Sequence, residues 1–299
     1  MPRCWPTSSA PTALTTGRCR APASRPTRSP SWPGAQRRAA GTRHHAYTQL
    51  RSLVREVHPA AANAWEHLPA NLMRAEARAV LAHAPTPRDA AGLTVQALRG
   101  LLADAGRFRL LDQHAARLHT LFHQPTLRQR PAVEAAMAAR VLASLALLNQ
   151  ACSVVDKLTV HLDDAFAAHP HAPLYLSFPG VGLLTGARLL GEIGDDPDRF
   201  ADARGLRAYA APLTWASGTS KIVSHRRIAN KSLMGTGHHW AFSTLTRSPG
   251  CRAHYDRRRA AGDRHNAALR HLYGRLLGCL HHCLTTAEPY VEHHAFPPT

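Results

Sequence analysis

Apolar residues recur at helical spacing along most of the chain after His44, and breaks in that pattern mark the elements. Tyr47–Glu56 carries one apolar stripe and ends before His58-Pro59, as a helix should. Asn63–His83 predicts a second helix, stopped by Pro85-Thr86-Pro87, and Arg88–Ala103 a third, with Gly106 as its C-terminal stop. Leu110–Phe122 and Pro131–Ala168 follow. The last is the most regular: Val141, Leu145, Leu148, Cys152, Val155, Thr159, Leu162 and Phe166 step by alternating four and three. That is the seam of a coiled coil, with Pro131 in its first turn and Pro170 beyond its end. Such a seam suits either packing inside one bundle or a homo-oligomer through the coil. Beyond it the pattern predicts a small-residue helix up to Ile193, a short helix over Asp202–Ala210, and a loop or short hairpin over Pro212–His225. Helices over Arg227–Thr246, Arg252–Ala260 and His265–Leu284 complete the chain, the last one capped by Asp263. The fold class is mainly α.

Charge changes the picture. The 299 residues carry a formal net charge of +18, far beyond what solubility needs, so a polyanionic partner is expected. No apolar run suggests a membrane instead, and six scattered cysteines without a CxxC pair fit a reducing cytoplasm. Residues 1–43 stand apart, rich in Pro, Ser, Thr and Arg, and the first acidic residue of the chain is Glu56. They read as a disordered basic segment.

Two stretches carry chemistry. In Phe178-Pro179-Gly180-Val181-Gly182, the glycines can take positive φ and turn backbone N–H groups towards a phosphate, to which the following helix adds its positive end. This is a helix-hairpin-helix pattern, a sequence-independent grip on a nucleic-acid backbone, and an ordinary tight turn between packed helices has the same composition. The second stretch is Ala216-Ser217-Gly218-Thr219-Ser220-Lys221, trailed by Arg226, Arg227 and Lys231. A hydroxyl beside a glycine among cations suits a nucleophile for phosphodiester chemistry, although a Ser-Gly pair is also a common turn. Arg257, Arg258, Arg259 and Arg264 form a basic cluster that serves either as a solvated face or as a contact to nucleic acid. Cys279, His281, His282 and Cys283 invite a zinc reading, but no second Cys/His pair at ligand spacing accompanies them, so packing of a terminal helix is expected.

From about Tyr47 onward the chain resembles the insertion sequence 110 family of transposases. The match is carried by the FPGVG turn and its helix, Asp198–Ala210, Ala216–Leu233, Ser248–Leu272 and Leu276–Leu284. The resemblance implies an RNA-guided DNA recombinase in two parts: an RNase-H-like domain holding Mg2+ through acidic residues, then a domain donating a serine nucleophile. It places that serine at Ser217, with Ser220 as the alternative, and makes DNA and a guide RNA the partners. The acidic domain would precede Tyr47, where residues 1–43 contain neither Asp nor Glu. Synonymous codons exist by which Met1–Arg20, read two bases on, resembles the family's own sequence there. The expectation is therefore a truncated copy, inactive alone, with no cofactor of its own. Its parts are residues 1–43, a helical bundle and coil over 44–170, and a C-terminal transposase domain over 171–299. The alternative is a non-catalytic module that binds nucleic acid and oligomerises.

Overall fold

The computed structural model describes residues 32–126, 128–210, 215–217, 220–222 and 230–296. The first element, α1 (Trp32–Val57), corrects the boundary expected at residue 43. Composition alone makes this stretch look like a loose arm, yet Gly34–Arg43 is dominated by Ala, Gln and Arg, which favour a helix. Its side chains are also committed to the rest of the fold. Gln36 is buried, donates to Thr159 Oγ1 at 3.2 Å and accepts from Arg188 Nη2 at 2.7 Å. The expectations for residues 1–31 lie outside the described residues.

Short helices follow: α2 (Pro59–Ala64), α3 (Ala75–His83), α4 (Pro87–Ala91), α5 (Val95–Asp104) and α6 (Leu111–Phe122). Two expected helices are thus divided. Asn63–His83 breaks around Pro69, where Ala70 and Asn71 take φ of 64° and 46°, conformations a helix cannot hold. Arg88–Ala103 breaks at Gly92–Thr94, and Thr94 Oγ1 then accepts from Ala97 N at 3.1 Å to cap α5. The apolar faces converge on one cluster that includes Leu50, Val54, Trp65, Leu81, Leu98 and Leu118.

The spine is α7 (Pro131–Ala167), 37 residues and thus about 55 Å long. All of the seam residues are buried except Thr159, which is half-buried and donates to Val155 O at 2.8 Å. The seam packs against α1, running antiparallel, with Gln36 of α1 at Thr159 and Trp32 at His161. Of the two readings of the seam, packing inside one bundle is therefore the one seen. A homo-oligomer through these residues would have to displace α1. By length and composition α7 is also apolar enough to cross a membrane, with an 18-residue window of mean hydropathy 1.5, which the sequence reading missed. Its inner stripe here faces protein, and about 2 kcal/mol or more per buried Leu holds it there.

Upstream residues of the seam join the first cluster, while Leu162 and Phe166 enter a second one. That cluster is built by α8 (Ala172–Leu176), α9 (Leu183–Ile193), α10 (Ala203–Ala210), α11 (Lys231–Thr244), α12 (Pro249–Ala260), α13 (His265–Thr286) and α14 (Glu292–Ala295). Trp240, Tyr175, Leu189, Leu206 and Leu276 lie at its centre. Between α10 and α11 stand two short strands, β1 (Trp215–Ser217) and β2 (Ser220–Ile222), paired antiparallel. Asp263 does not cap α13 as expected. Its carboxylate is taken by Arg258 Nε at 2.6 Å, and Arg264 occupies the N-cap without a side-chain bond.

Candidate nucleic-acid interface

The two glycines of the FPGVG turn do different work. Phe178 is buried between the rings of Trp240 and Tyr290, at 5.5 and 4.6 Å between centroids. Trp240 Nε1 donates to Pro179 O at 3.0 Å, and Ser243 Oγ donates to Gly180 O at 3.1 Å, so α11 fixes the turn from one side. Gly180 has φ of 74°, and a Cβ there would stand 2.5 Å from Ser243 Oγ. Both backbone conformation and space demand glycine. Gly182 is exposed, with no atom within 4 Å of where its Cβ would be, and as N-cap of α9 it offers no side chain to the first-turn amides. Those amides and the helix dipole are thus presented at an open surface, the arrangement that attracts a phosphate.

The serine stretch forms the β1–β2 hairpin. Its register pairs Trp215 with Ile222, Ala216 with Lys221 and Ser217 with Ser220, so the two candidate nucleophiles are direct cross-strand partners. Gly218, Thr219, Arg226 and Arg227 lie outside the described residues. The chain leaves α10 and returns at Asn230, and these two ends are tied together. Asn230 N donates to Tyr209 O at 3.0 Å, while its Nδ2 donates to Tyr209 Oη at 2.8 Å and to Glu192 Oε2 at 2.6 Å. Its Oδ1 accepts from Leu233 N at 3.0 Å and so caps α11. Glu192 Oε1 takes Arg37 Nη2 at 3.0 Å, which brings α1 into the same network. Lys231, the first residue of α11, is exposed beside this knot.

The basic cluster divides in the same way. Arg257, Arg259 and Arg264 are exposed. Arg258 is half-buried and engaged by Asp263 and by His271 Nε2 at 2.7 Å, while Arg259 Nη1 donates to Asp263 O at 2.6 Å. Arg258 therefore holds the α12–α13 corner. Beneath it, burial and then the charges of Arg257, Arg275 and Arg258 push His254 down to about 4, so that ring stays neutral.

Sequence reading missed one feature of this surface. Phe242 is 57% exposed, one residue from Ser243, and its ring sits 6.3 Å from that of His265. His265 Nδ1 is 2.7 Å from Tyr255 Oη. An exposed aromatic face is a stacking platform for a base. The signal was present: with Trp240 buried, a residue two positions on in a helix turns away from the core.

No group of three or more His, Cys, Asp or Glu able to hold a metal occurs among the described residues. Glu192 is committed to Arg37 and Asn230, Asp196 Oδ1 accepts from Asp198 N at 2.9 Å, and Asp195 stands near His169. These carboxylates do not fit the Mg2+ site that the family resemblance implies. The Cys279–Cys283 stretch supplies no such group either: His281 Nε2 faces Phe200 O at 3.2 Å, and burial pushes the thiols of Cys279 and Cys283 up.

The comparisons with known proteins bear on this same region. The profile of the Transposase IS116/IS110/IS902 family matches residues 172–256, from α8 into α12, and so spans the turn, the hairpin and Glu192. The chain is 47% identical over 266 residues to the mini-circle transposase for IS117 of Streptomyces coelicolor, covering 88% of this chain and 64% of that relative. It is 32% identical over 148 residues to a 42 kDa protein of insertion element IS900 of Mycobacterium paratuberculosis, covering 48% of this chain and 37% of the other. The chain thus spans less than two thirds of the length of these relatives. Residues 172–256, which hold the open α9 terminus and the hairpin, thus match the transposase domain of the IS116/IS110/IS902 family, and the chain is similar over most of its length to the IS117 relative.

Proposed function

We propose that the chain acts in DNA transposition or site-specific recombination, with Ser217 as nucleophile. The Ser217 hydroxyl attacks a backbone phosphorus, gives up its proton to a base, and displaces a sugar hydroxyl, leaving a phosphoseryl ester. Attack by the hydroxyl of a second strand reverses the step and rejoins DNA without loss of bond energy. Lys221, Arg226, Arg227 and Lys231 neutralise the charge that grows on the phosphate, while the Gly182 end of α9 and Arg257, Arg259 and Arg264 hold the backbone. DNA is the substrate and a structured guide RNA the partner that selects it. An assembly of copies through α7 would use its outer face, where Leu142, Leu147, Val154 and Val160 are exposed. The observation that carries the reading is the Ser217–Ser220 pair on a hairpin whose two ends are tied through Asn230. The test is denaturing capture of a covalent protein–DNA adduct on supercoiled DNA bearing the element's ends. Adduct lost with Ser217→Ala and kept with Ser220→Ala supports it. The opposite pattern moves the nucleophile to Ser220.

A second reading is a non-catalytic nucleic-acid-binding module. It is favoured by the absence of a metal-holding acidic group among the described residues. Salt-dependent binding of DNA or RNA with no adduct under any metal condition would select it.

A further inference from the structure

A cleft of about 560 Å3 opens where α10, α13 and the chain before α14 meet, and its described lining includes no residue of the turn, the hairpin or the α12 cluster. Its most telling residue is Arg207. The guanidinium of Arg207 lies on α13 at Gly278, where a Cβ would collide with Nη2, so the glycine makes room for the cation. Arg207 Nε is buried and has no hydrogen-bond partner among the described residues. A partly buried cation that faces no acid costs stability unless something else faces it.

The same wall carries Arg275, whose Nε and Nη2 both donate to Ala295 O at 3.1 and 2.7 Å. That fork fixes the plane of its guanidinium. Both arginines act electrostatically on Cys279, so their charges converge on one point of the lining. The imidazoles of His282 and His294 also line the cleft and add ring nitrogens that can hydrogen-bond an anion. Glu288 is the one carboxylate among the described residues of the lining. The rest of the wall is apolar, formed chiefly by Cys279, Cys283 and Val291, and burial keeps both thiols protonated.

We propose that this cleft binds a single nucleotide, its phosphate on Arg207 and Arg275 and its base against the Cys279–Cys283 wall. Two guanidiniums match a phosphate, the apolar remainder matches a flat base, and the volume lies within the usual range for small-ligand sites. The nucleotide is either free or the end of a strand, since both present the same chemistry. The proposal does not depend on Ser217, because Arg275, Gly278 and Cys279 lie beyond the region matched by the family profile.

The experiment titrates the full chain, with Ser217→Ala in the background, by calorimetry. The probes are adenosine monophosphate, adenosine, an aliphatic carboxylate, and a short single strand with a 5′ phosphate or with both ends blocked. Saturable binding of the monophosphate is expected, weakened roughly tenfold or more by Arg207→Gln, with adenosine much weaker. His294→Ala, at an exposed position on the rim, gives a second variant with little risk to folding. Displacement of the monophosphate by the 5′-phosphorylated strand and not by the blocked one assigns the site to strand ends. Displacement by neither assigns it to a free nucleotide. No saturable binding up to millimolar monophosphate overturns the proposal. So does equal binding by folded Arg207→Gln and His294→Ala, or a preference for the carboxylate.

Discussion

Asn230 Nδ2 donates to Glu192 Oε2 at 2.6 Å across 38 residues of sequence, and this bond closes the base of the segment that holds Ser217. Asn230 also caps α11 and meets both the backbone and the hydroxyl of Tyr209. Asn230→Ala should therefore remove a cap worth about 1 kcal/mol together with two side-chain bonds of about 1 kcal/mol each. Amide exchange should rise at Leu233 and Met234 more than in α7, as measured by mass spectrometry. Uniform exchange throughout would show that the knot has no local role.

The turn glycines should respond in opposite ways. Gly180→Ala places a methyl 2.5 Å from Ser243 Oγ at φ of 74°, so a loss of about 2–3 kcal/mol is expected in denaturant unfolding. Gly182→Ala meets nothing within 4 Å and should cost under about 1 kcal/mol. Its effect should instead be weaker binding of duplex DNA, because a methyl crowds the approach to the α9 amides. Equal stability losses would mean that the turn is only a packing device.

The stripe along α7 was legible because its period repeats for more than three heptads and all but one of its members are buried. What lies outside such repetition was not. Pro69 and Gly92 fall in runs where most residues favour helix, so the apolar pattern continued across the breaks. Trp32–Arg43 looked like an arm because Gln36 and Arg37 are polar, and only their distant partners Thr159, Arg188 and Glu192 make them structural. At the candidate site, Ser217 and the glycines could be named from type and order. The tie between Glu192 and Asn230 could not, since it depends on two helices meeting.

Neighbouring leucines on α7 test the packing directly. Leu148 is fully buried in the first cluster, and Leu148→Ala should lose about 2–5 kcal/mol. Leu147 is 66% exposed, and Leu147→Ala should change stability by less than about 0.5 kcal/mol. If the Leu147 variant alone shifts the mass of the species in light scattering, the outer face of α7 joins copies.

His58 makes stability depend on pH. It is 1% exposed, packs at 5.5 Å from Phe122, and has no hydrogen-bond partner for either ring nitrogen among the described residues. Burial pushes it down to about 4, against a partial upward pull from Asp89 and Glu134. Between the unfolded value near 6.5 and about 4, the unfolded chain binds more protons at this site. The contribution is therefore complete above pH 6.5, falls as pH drops through that window, and reaches up to about 3 kcal/mol. His58→Phe should flatten the stability profile between pH 4 and 6.5. A profile unchanged in slope would mean that the ring is charged in the native state.

The α12–α13 corner separates binding from folding. Arg257 and Arg264 are exposed, so Arg257→Gln with Arg264→Gln should leave the unfolding midpoint nearly unchanged. If both contact phosphates of duplex DNA, the slope of log affinity against log salt should become shallower by roughly 1.8, about 0.9 for each charge removed. Arg258→Gln should behave differently. It removes the guanidinium that both Asp263 and His271 Nε2 engage, in a half-buried corner, so stability falls first. Titrations of labelled duplex between low and moderate salt distinguish the two classes. An unchanged slope in the double variant would place the DNA elsewhere, while loss of slope with Arg258→Gln at full stability would put that arginine on the backbone instead of in the corner.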